Sequence, residues 1–186
     1  MNVKQSHYIL PVFYHHFGCL CPSFEALEIM KQLANKSRSI LDIGSGNGYW
    51  TYMLRRHGLT VHAVDNGDSL WRTMWIGDTI KADGAQFLTS AKFAAQGGGA
   101  GGKDAILLLV YPQVTTSFTT AVLNAYQGTT IVVAGTQNRN GFTGFKGELV
   151  DEWMTREMPR WEKIVQTPLP SFAGKDEALF VFERRK

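Results

Sequence analysis

The sequence of 186 residues has few cysteines, few prolines and no long hydrophobic run. Its two cysteines, Cys19 and Cys21, are separated by one residue, which is too close for an ordinary stabilising disulfide. No second Cys/His pair at zinc spacing accompanies them, so we expect free thiols and no metal. The longest apolar run, residues 105–111, is far shorter than the roughly 20 residues that span a membrane. With no signal-peptide core near Met1, we expect a cytoplasmic protein without a membrane partner.

Neither sign of charge predominates in the sequence. The chain carries 19 basic and 16 acidic residues, which gives a net charge of +3, and only residues 183–186 form a charged cluster. Because nucleic-acid-binding domains usually present a basic stripe, this distribution disfavours a nucleic-acid partner. A hydrophobic content of 44% is that of an ordinary globular protein, and the length predicts one domain over residues 1–186.

Helix-like and strand-like segments alternate along the chain. Apolar spacing predicts helices over residues 24–34, 49–56, 85–96, 115–126 and 148–158, with Ser23 as the cap of the first. Apolar runs predict strands over residues 39–43, 59–64, 79–83, 104–110, 129–134, 162–167 and 178–183. The alternation indicates an α/β fold with a doubly wound, mostly parallel seven-stranded sheet. No helix separates the last two strands, which predicts an antiparallel last strand at the edge.

The glycine run "GGGAGG", residues 97–102, is the most flexible composition in the sequence. No Lys-Ser/Thr pair follows it, as a phosphate-binding P-loop would require. We therefore expect a surface loop there.

The stretch "ILDIGSGNGYW", residues 40–50, joins a strand to a helix through Gly44, Gly46 and Gly48. Glycines at such a turn let the backbone approach a ligand near the free N–H groups of the helix. A dinucleotide site has the spacing G-x-G-x-x-G, whereas Gly48 comes one residue early. Asp42 would be an awkward neighbour for a pyrophosphate but a good partner for a cationic amino group. The pattern therefore disfavours NAD.

Two further acids follow the next two strands. Asp65 ends the second strand, where a carboxylate can accept hydrogen bonds from both ribose hydroxyls, and Asp83 ends the third, where it can accept from an adenine amine. A single Asp at a strand end is more often a turn or helix cap. Three acids after three successive strands indicate an adenosine ligand instead.

At these residues the sequence resembles the class I S-adenosylmethionine-dependent methyltransferases, which have a seven-stranded Rossmann-like fold. "LDIGSGNGYW" resembles their motif I, "VHAVDN" their second-strand acid, "KADGAQFL" their third-strand acid and "DAILLLVYPQ" their fourth-strand motif. The resemblance covers residues 40–135 closely and extends through residue 181. It implies S-adenosyl-L-methionine as cofactor and S-adenosyl-L-homocysteine as product.

The resemblance also implies which residues hold the cofactor. Asp42 and the glycine-loop backbone would hold the methionine end, Asp65 the ribose, and Asp83 with Gly84 the adenine. The expected cofactor-binding residues are Asp42, Gly44, Ser45, Gly46, Gly48, Asp65, Asn66, Asp83, Gly84 and Val110.

The substrate side is less well marked. Residues 111–113 partly resemble the (Asp/Asn/Ser)-Pro-Pro-(Tyr/Phe) motif of amino-group methyltransferases, but Tyr111 and Gln113 depart from it. The sequence therefore does not decide whether the acceptor atom is nitrogen or oxygen. Tyr111 either contacts the substrate, with a catalytic role, or packs as a pocket wall. The expected substrate contacts, set against ordinary solvated loops, are Tyr111, Pro112, Gln137, Asn138, Arg139, Ser171, Lys175 and Asp176.

The N-terminal segment, residues 1–22, is rich in aromatic residues, and the resemblance implies a lid over the cofactor. His15 or His16 is a candidate general base, against the alternative that both are packed or solvated. Trp71 and Trp75 either line the pocket or pack against the sheet. The predicted function is methyl transfer to a small-molecule or protein acceptor. The alternatives are a non-catalytic binding module of the same fold and an NAD-linked oxidoreductase.

Overall fold

A computed structural model describes residues 6–35, 37–70, 73–112, 116–139, 145, 148–172 and 175–185. Its strands are β1 (Ile40–Ile43), β2 (Val61–Asp65), β3 (Ile80–Lys81), β4 (Ile106–Val110), β5 (Thr130–Thr136), β6 (Trp161–Pro168) and β7 (Glu177–Arg184). They form one seven-stranded sheet with the order β3-β2-β1-β4-β5-β7-β6.

Six α-helices lie in the described part of the chain: α1 (Ser6–Phe17), α2 (Phe24–Ala34), α3 (Tyr49–Arg56), α4 (Gly84–Thr89), α5 (Thr116–Ala125) and α6 (Val150–Glu157). Two 3₁₀ helices, Ala91–Gln96 and Ala100–Gly102, follow α4. Of the helices in these described ranges, none combines the length and the apolar character needed to cross a membrane.

The doubly wound, mostly parallel sheet with an antiparallel last strand is confirmed. Strands β1 to β5 pair in parallel, and β7 is antiparallel to both of its neighbours. The edge position predicted for the last strand is wrong, because β7 lies between β5 and β6. Most of β7 is buried, whereas β6 is largely exposed. The apolar strand therefore takes the covered position and the polar strand forms the edge.

Each face of the sheet carries a hydrophobic core. Leu107 and Leu109 of β4 belong to one core, and Ile106 and Leu108 belong to the other. Because successive side chains of a strand point to opposite faces, both faces of β4 must be covered. This explains the unbroken apolar run from which the strand was predicted.

Most helices lie where the sequence predicts them. The Ser23 side chain caps α2 by accepting a hydrogen bond from the Ala26 N–H (3.1 Å), and α3 has the predicted bounds. The helix predicted over residues 85–96 is divided at Ser90. The Ser90 backbone is extended and its side chain accepts from the Lys92 N–H (3.4 Å), so a 3₁₀ helix begins there.

Helix α1 is not predicted by the sequence pattern. Pro11 lies inside it and lacks the N–H of a normal helical hydrogen bond, which weakens the helical signal. Phe13 and Phe17, four residues apart, have ring centroids 5.0 Å from each other, as neighbours on one helix face do. Aromatic packing therefore supports α1 despite the proline.

The glycine run at residues 97–102 is not the surface loop that its composition predicts. Gly98, Gly99, Gly101 and Gly102 are buried, and residues 100–102 form a 3₁₀ turn. A Cβ atom on Gly98 would lie 2.6 Å from the Phe87 carbonyl oxygen. The run is glycine-rich because backbone and side-chain atoms pack directly against it.

Gly98→Ala should lower the free energy of unfolding by about 1–3 kcal/mol, because the added methyl group overpacks against backbone. Urea unfolding followed by circular dichroism measures the change. Gly77→Ala is the matched control, since a Cβ there meets nothing within 4 Å. If the two variants unfold at the same urea concentration, the close packing of the run is wrong.

Candidate active site

A cavity of about 270 Å³ lies at the carboxyl edge of the sheet. Its walls come from the segments that follow β1, β2, β3 and β4, and from residues 17–20 at the end of α1. In open α/β sheets, ligands bind at this edge, at the point where the connections that follow two neighbouring parallel strands lead away from each other. Here β1 and β4 are the neighbours at which the strand order reverses.

Eight of the ten residues expected to bind the cofactor line this cavity: Gly44, Ser45, Gly46, Asp65, Asn66, Asp83, Gly84 and Val110. Tyr111 and Pro112 from the expected substrate contacts also line it. Asp42 and Gly48 do not. The sequence therefore identified most of the wall that the four strand ends provide.

The glycine loop adopts left-handed backbone at all three glycines, with φ values of 78° at Gly44, 55° at Gly46 and 78° at Gly48. The Val64 carbonyl oxygen accepts from the Gly44 N–H at 2.7 Å, which ties the loop to β2. Gly48 is the cap of α3, and a Cβ there would overlap the Ile76 side chain. Gly48 thus shapes the start of α3 from behind the cavity wall.

Asp65 joins two loops around the cavity. Its Oδ2 accepts from the Gly46 N–H at 2.9 Å, and its Oδ1 accepts from the Gly67 N–H at 2.8 Å. A carboxylate offers about four acceptor positions, so both oxygens keep capacity for a ligand. Asp65 can therefore fix the glycine loop and accept from hydroxyl groups at once.

Asp83 acts as a helix cap and lines the cavity as well. Its Oδ1 accepts from the Gln86 N–H at 2.9 Å at the start of α4. Gly84 beside it is buried, and a Cβ there would overlap Ile43 and approach Val122 closely. The cap interpretation and the ligand interpretation of this acid are thus compatible.

Asp42 is fully buried behind the cavity wall. Its Oδ2 accepts from the Thr51 hydroxyl at 2.6 Å, and its Oδ1 has no partner among the described residues. Burial raises the pKa of Asp42 to about 6; the Asp65 charge adds to this, while Thr51 and Arg55 oppose it. In this geometry Asp42 connects β1 to α3, and its direct contact with a cofactor amino group stays a prediction.

The end of α1 is fastened to the glycine loop. The His16 carbonyl oxygen accepts from Asn47 Nδ2 at 2.9 Å and from Trp75 Nε1 at 2.5 Å. The Phe17 ring lies 5.2 Å from the Tyr49 ring and 5.9 Å from the Trp75 ring. These contacts hold residues 17–20 against the cavity, and the sequence offered no local signal for them.

The candidate bases do not reach the cavity. His16 is exposed, with its Nδ1 2.9 Å from the Thr73 hydroxyl, and neither it nor His15 lines the wall. Trp75 packs beside Tyr52 at 5.1 Å between ring centroids and is not a wall residue. Trp71 lies outside the described residues.

Tyr111 is the substrate-side candidate that the structure places best. Its φ of 46° is left-handed, which is unusual for a bulky side chain and typical of functional sites. Its hydroxyl accepts from Lys175 Nζ at 3.3 Å. Burial raises the pKa of Tyr111, and Tyr14, Cys19 and Glu177 raise it further, so the phenol stays neutral.

The other expected substrate contacts do not line the cavity. Gln137 Nε2 donates to Asp176 at 2.7 Å, Arg139 forms an exposed ion pair with Glu152 at 2.7 Å, and Ser171 donates to the Leu169 carbonyl at 3.0 Å. Asn138 and Lys175 also lie outside the wall. Gln113, which departs from the amino-group motif, lies outside the described residues.

Glu177 was missed by sequence reasoning. Only 3% of its surface is exposed, and its Oε2 has no partner among the described residues. Burial raises the pKa of Glu177, while Ser171 and Lys175 lower it. The available signal was one acid at the start of an otherwise apolar strand. Across the same described ranges, no three His, Cys, Asp or Glu side chains come together as a metal site.

No protein-family model matches the sequence, and no curated protein matches it. Solved structures do. One is the Burkholderia thailandensis 1,6-didemethyltoxoflavin-N1-methyltransferase with bound 1,6-didemethyltoxoflavin and S-adenosylhomocysteine, at 11% identity and TM-score 0.57 over 98% of this chain and 85% of that chain. Another is the Synechocystis magnesium protoporphyrin IX methyltransferase with bound S-adenosylhomocysteine, at 12% identity and TM-score 0.55 over 86% of this chain and 80% of that chain.

A third is the N-methyltransferase NodS from Bradyrhizobium japonicum, at 14% identity and TM-score 0.54 over 87% of this chain and 96% of that chain. The chain has the fold of the class I S-adenosylmethionine-dependent methyltransferases. At these identities the fold is what is shared. The neighbours act on different molecules, so this methyltransferase fold does not by itself identify an acceptor.

Proposed function

We propose that the chain is an S-adenosylmethionine-dependent methyltransferase that acts on a small-molecule or protein acceptor. One observation carries the proposal: a single cavity brings together the glycine loop, Asp65 and Asp83. The glycine loop follows β1, Asp65 ends β2 and Asp83 follows β3, so these groups come from separate parts of the sequence. Their convergence is what an adenosyl ligand needs.

The wall residues fit the adenosyl part of the cofactor. Asp65 and Asp83 can accept from ribose hydroxyls and from the adenine amine. The buried Ser45 hydroxyl lines the cavity without a partner among the described residues, so it has bonding capacity for a polar ligand. Apolar walls for the adenine ring are supplied by Ile43, Val64, Ala82, Val110 and Phe118.

The charges on the wall disfavour a dinucleotide. Asp65 and Asp83 are its carboxylates, and none of its described residues is a lysine, arginine or histidine. A pyrophosphate would bring two negative charges next to these acids without a cationic side chain to offset them. A cofactor with a sulfonium and an ammonium group has the complementary charge. This argues against the NAD-linked alternative.

The bound cofactor would supply a methyl group already activated by the sulfonium. The chain's own residues would then position the acceptor and exclude water. Tyr111 is held at the cavity by its N–H, which donates to the Ala134 carbonyl oxygen at 2.6 Å. Phe17 and Cys19 close another side, and we propose that residues 1–22 act as a lid on a single domain of residues 1–186.

The second candidate is a non-catalytic module of this fold, and it rests on Tyr111. Its hydroxyl is engaged by Lys175, and it replaces the small polar residue of the amino-group motif. Transfer of labelled methyl from S-adenosylmethionine to any extract component, abolished by Gly46→Asp, would exclude this candidate.

Titration calorimetry with the full chain tests the cofactor assignment. We expect micromolar binding of S-adenosylmethionine and S-adenosylhomocysteine and none of NAD. S-adenosylhomocysteine at 100 times its Kd should stabilise the fold by about 2.7 kcal/mol, measured as a raised midpoint of thermal unfolding. Absence of binding to both sulfur ligands, or tighter binding of NAD, would refute the proposal.

A further inference from the structure

A polar cluster lies beside the cavity on the side of β7. The order of the sheet places Asp65 and Asp83, after β2 and β3, on one side of β1, whereas β4, β5 and β7 lie on the other. Tyr111 follows β4, and Glu177 begins β7. We call Tyr14, Cys19, Tyr111, Lys175 and Glu177 the Glu177 cluster. Because β7 is antiparallel to β5 and Glu177 pairs with Thr136, Glu177 lies at the same edge of the sheet as the cavity.

Glu177 is fixed in this cluster by its backbone. Its N–H donates to the Ser171 hydroxyl at 2.9 Å, and its carbonyl oxygen accepts from the Leu169 N–H at 2.9 Å. The side chain is 3% exposed, and Oε2 has no hydrogen-bond partner among the described residues. An unsatisfied buried carboxylate oxygen is costly, so its retention indicates a donor group supplied by a ligand.

Three neighbours of Glu177, namely Tyr14, Cys19 and Tyr111, are neutral donors at physiological pH. Tyr14, Cys19 and Tyr111 are close enough for its charge to raise their pKa values, on top of the larger effect of burial. Tyr111 and Cys19 also line the cavity. The cluster thus combines one buried carboxylate with O–H and S–H groups that reach the cavity wall.

An ammonium group already occupies this cluster. Lys175 Nζ donates to the Tyr111 hydroxyl at 3.3 Å and lies 5.9 Å from the centre of the Tyr111 ring. The Lys175 charge also lowers the pKa values of Cys19 and Glu177. An alkylammonium beside a tyrosine ring, within electrostatic range of a carboxylate, is therefore the chemistry that this cluster accommodates.

We propose that the Glu177 cluster is the acceptor subsite and binds a primary alkylammonium group of the acceptor molecule, with Glu177 as the specificity-determining residue. This rests on the proposed methyltransferase function. The acceptor ammonium takes the place of the Lys175 ammonium beside the Tyr111 hydroxyl and ring. Acceptors that carry only a hydroxyl or a carboxylate at that position bind more weakly.

Titration of the chain, saturated with S-adenosylhomocysteine and observed by NMR, tests this. The compounds are propylammonium chloride, 1-propanol and sodium propionate, which share a three-carbon chain and differ in charge. We expect propylammonium to bind about tenfold more tightly than propanol, since hydrogen bonds to charged groups are the stronger ones. Glu177→Gln should abolish the preference, and Glu183→Gln, exposed on the same strand, should keep it.

Lys175→Ala gives a second test in the opposite direction. Removing the resident ammonium should tighten propylammonium binding about tenfold, whereas Lys103→Ala, at an exposed lysine, should leave it unchanged. A purely structural role for the cluster predicts weaker or unchanged binding in both cluster variants. Equal binding of the three compounds, or no tightening in Lys175→Ala, overturns the proposal.

Calorimetry of S-adenosylhomocysteine with the same samples distinguishes a failure of the acceptor subsite from a failure of the proposed methyltransferase function. Cofactor binding without an ammonium preference overturns the acceptor subsite alone. Loss of both overturns the proposed function and the subsite that rests on it. Cofactor binding that is intact in Glu177→Gln, together with a lost ammonium preference, supports both.

Discussion

Asp65→Asn should weaken S-adenosylhomocysteine binding about 100-fold. The carboxylate accepts from the N–H groups of Gly46 and Gly67 with separate oxygens while it lines the cavity. An asparagine keeps one acceptor oxygen and turns an amide N–H₂ toward the other donor. The variant therefore loses the charge-assisted bonds to ribose hydroxyls that the proposed function assigns to Asp65, and it misplaces one loop. A 100-fold change corresponds to about 2.7 kcal/mol.

Calorimetry measures the affinity, and urea unfolding shows how much of the loss comes from the loops. We expect the free energy of unfolding without ligand to fall by about 1 kcal/mol, because one partly buried or exposed N–H group loses its acceptor. The matched control is Asp104→Asn, an exposed acid that precedes β4 at the opposite edge of the sheet. An affinity within threefold of the wild type would contradict the ribose assignment.

The acids at strand ends could be predicted because their position depends only on local order. Once β2 and β3 are recognised, Asp65 and Asp83 must lie at the carboxyl edge of a parallel sheet. The side-chain direction of Asp42, in contrast, could not be predicted from its position at the strand end. Ile43 lines the cavity, and Asp42, one residue earlier on β1, points to the opposite face, where Thr51 donates to it.

The rest of the site depends on contacts between distant segments. Asn47 and Trp75 bind the His16 carbonyl across 31 and 59 residues of sequence. Glu177 appears in the sequence as an ordinary acid next to an apolar strand, and only the tertiary structure buries it. The glycine run illustrates the same limit, since composition indicates flexibility while packing around Gly98 fixes it.

Asp42→Asn should remove a pH dependence of stability worth about 3 kcal/mol. The pKa of Asp42 is raised from 3.8 to about 6 in the fold. Between these values the folded chain binds the proton that the unfolded chain has released. The contribution of Asp42 is therefore most favourable below pH 3.8 and is lost as the pH rises through 6. Asparagine cannot ionise, so its contribution is constant.

The free energy of unfolding, measured by urea titration from pH 3 to pH 7, checks this as the difference between wild type and variant. That difference should fall by about 3 kcal/mol across the range, since each pKa unit corresponds to 1.36 kcal/mol. In the Asp65→Asn background the fall should move to lower pH, since the Asp65 charge helps to raise the pKa of Asp42. A flat difference for Asp42→Asn would mean that the carboxyl is solvated or carries a partner in solution.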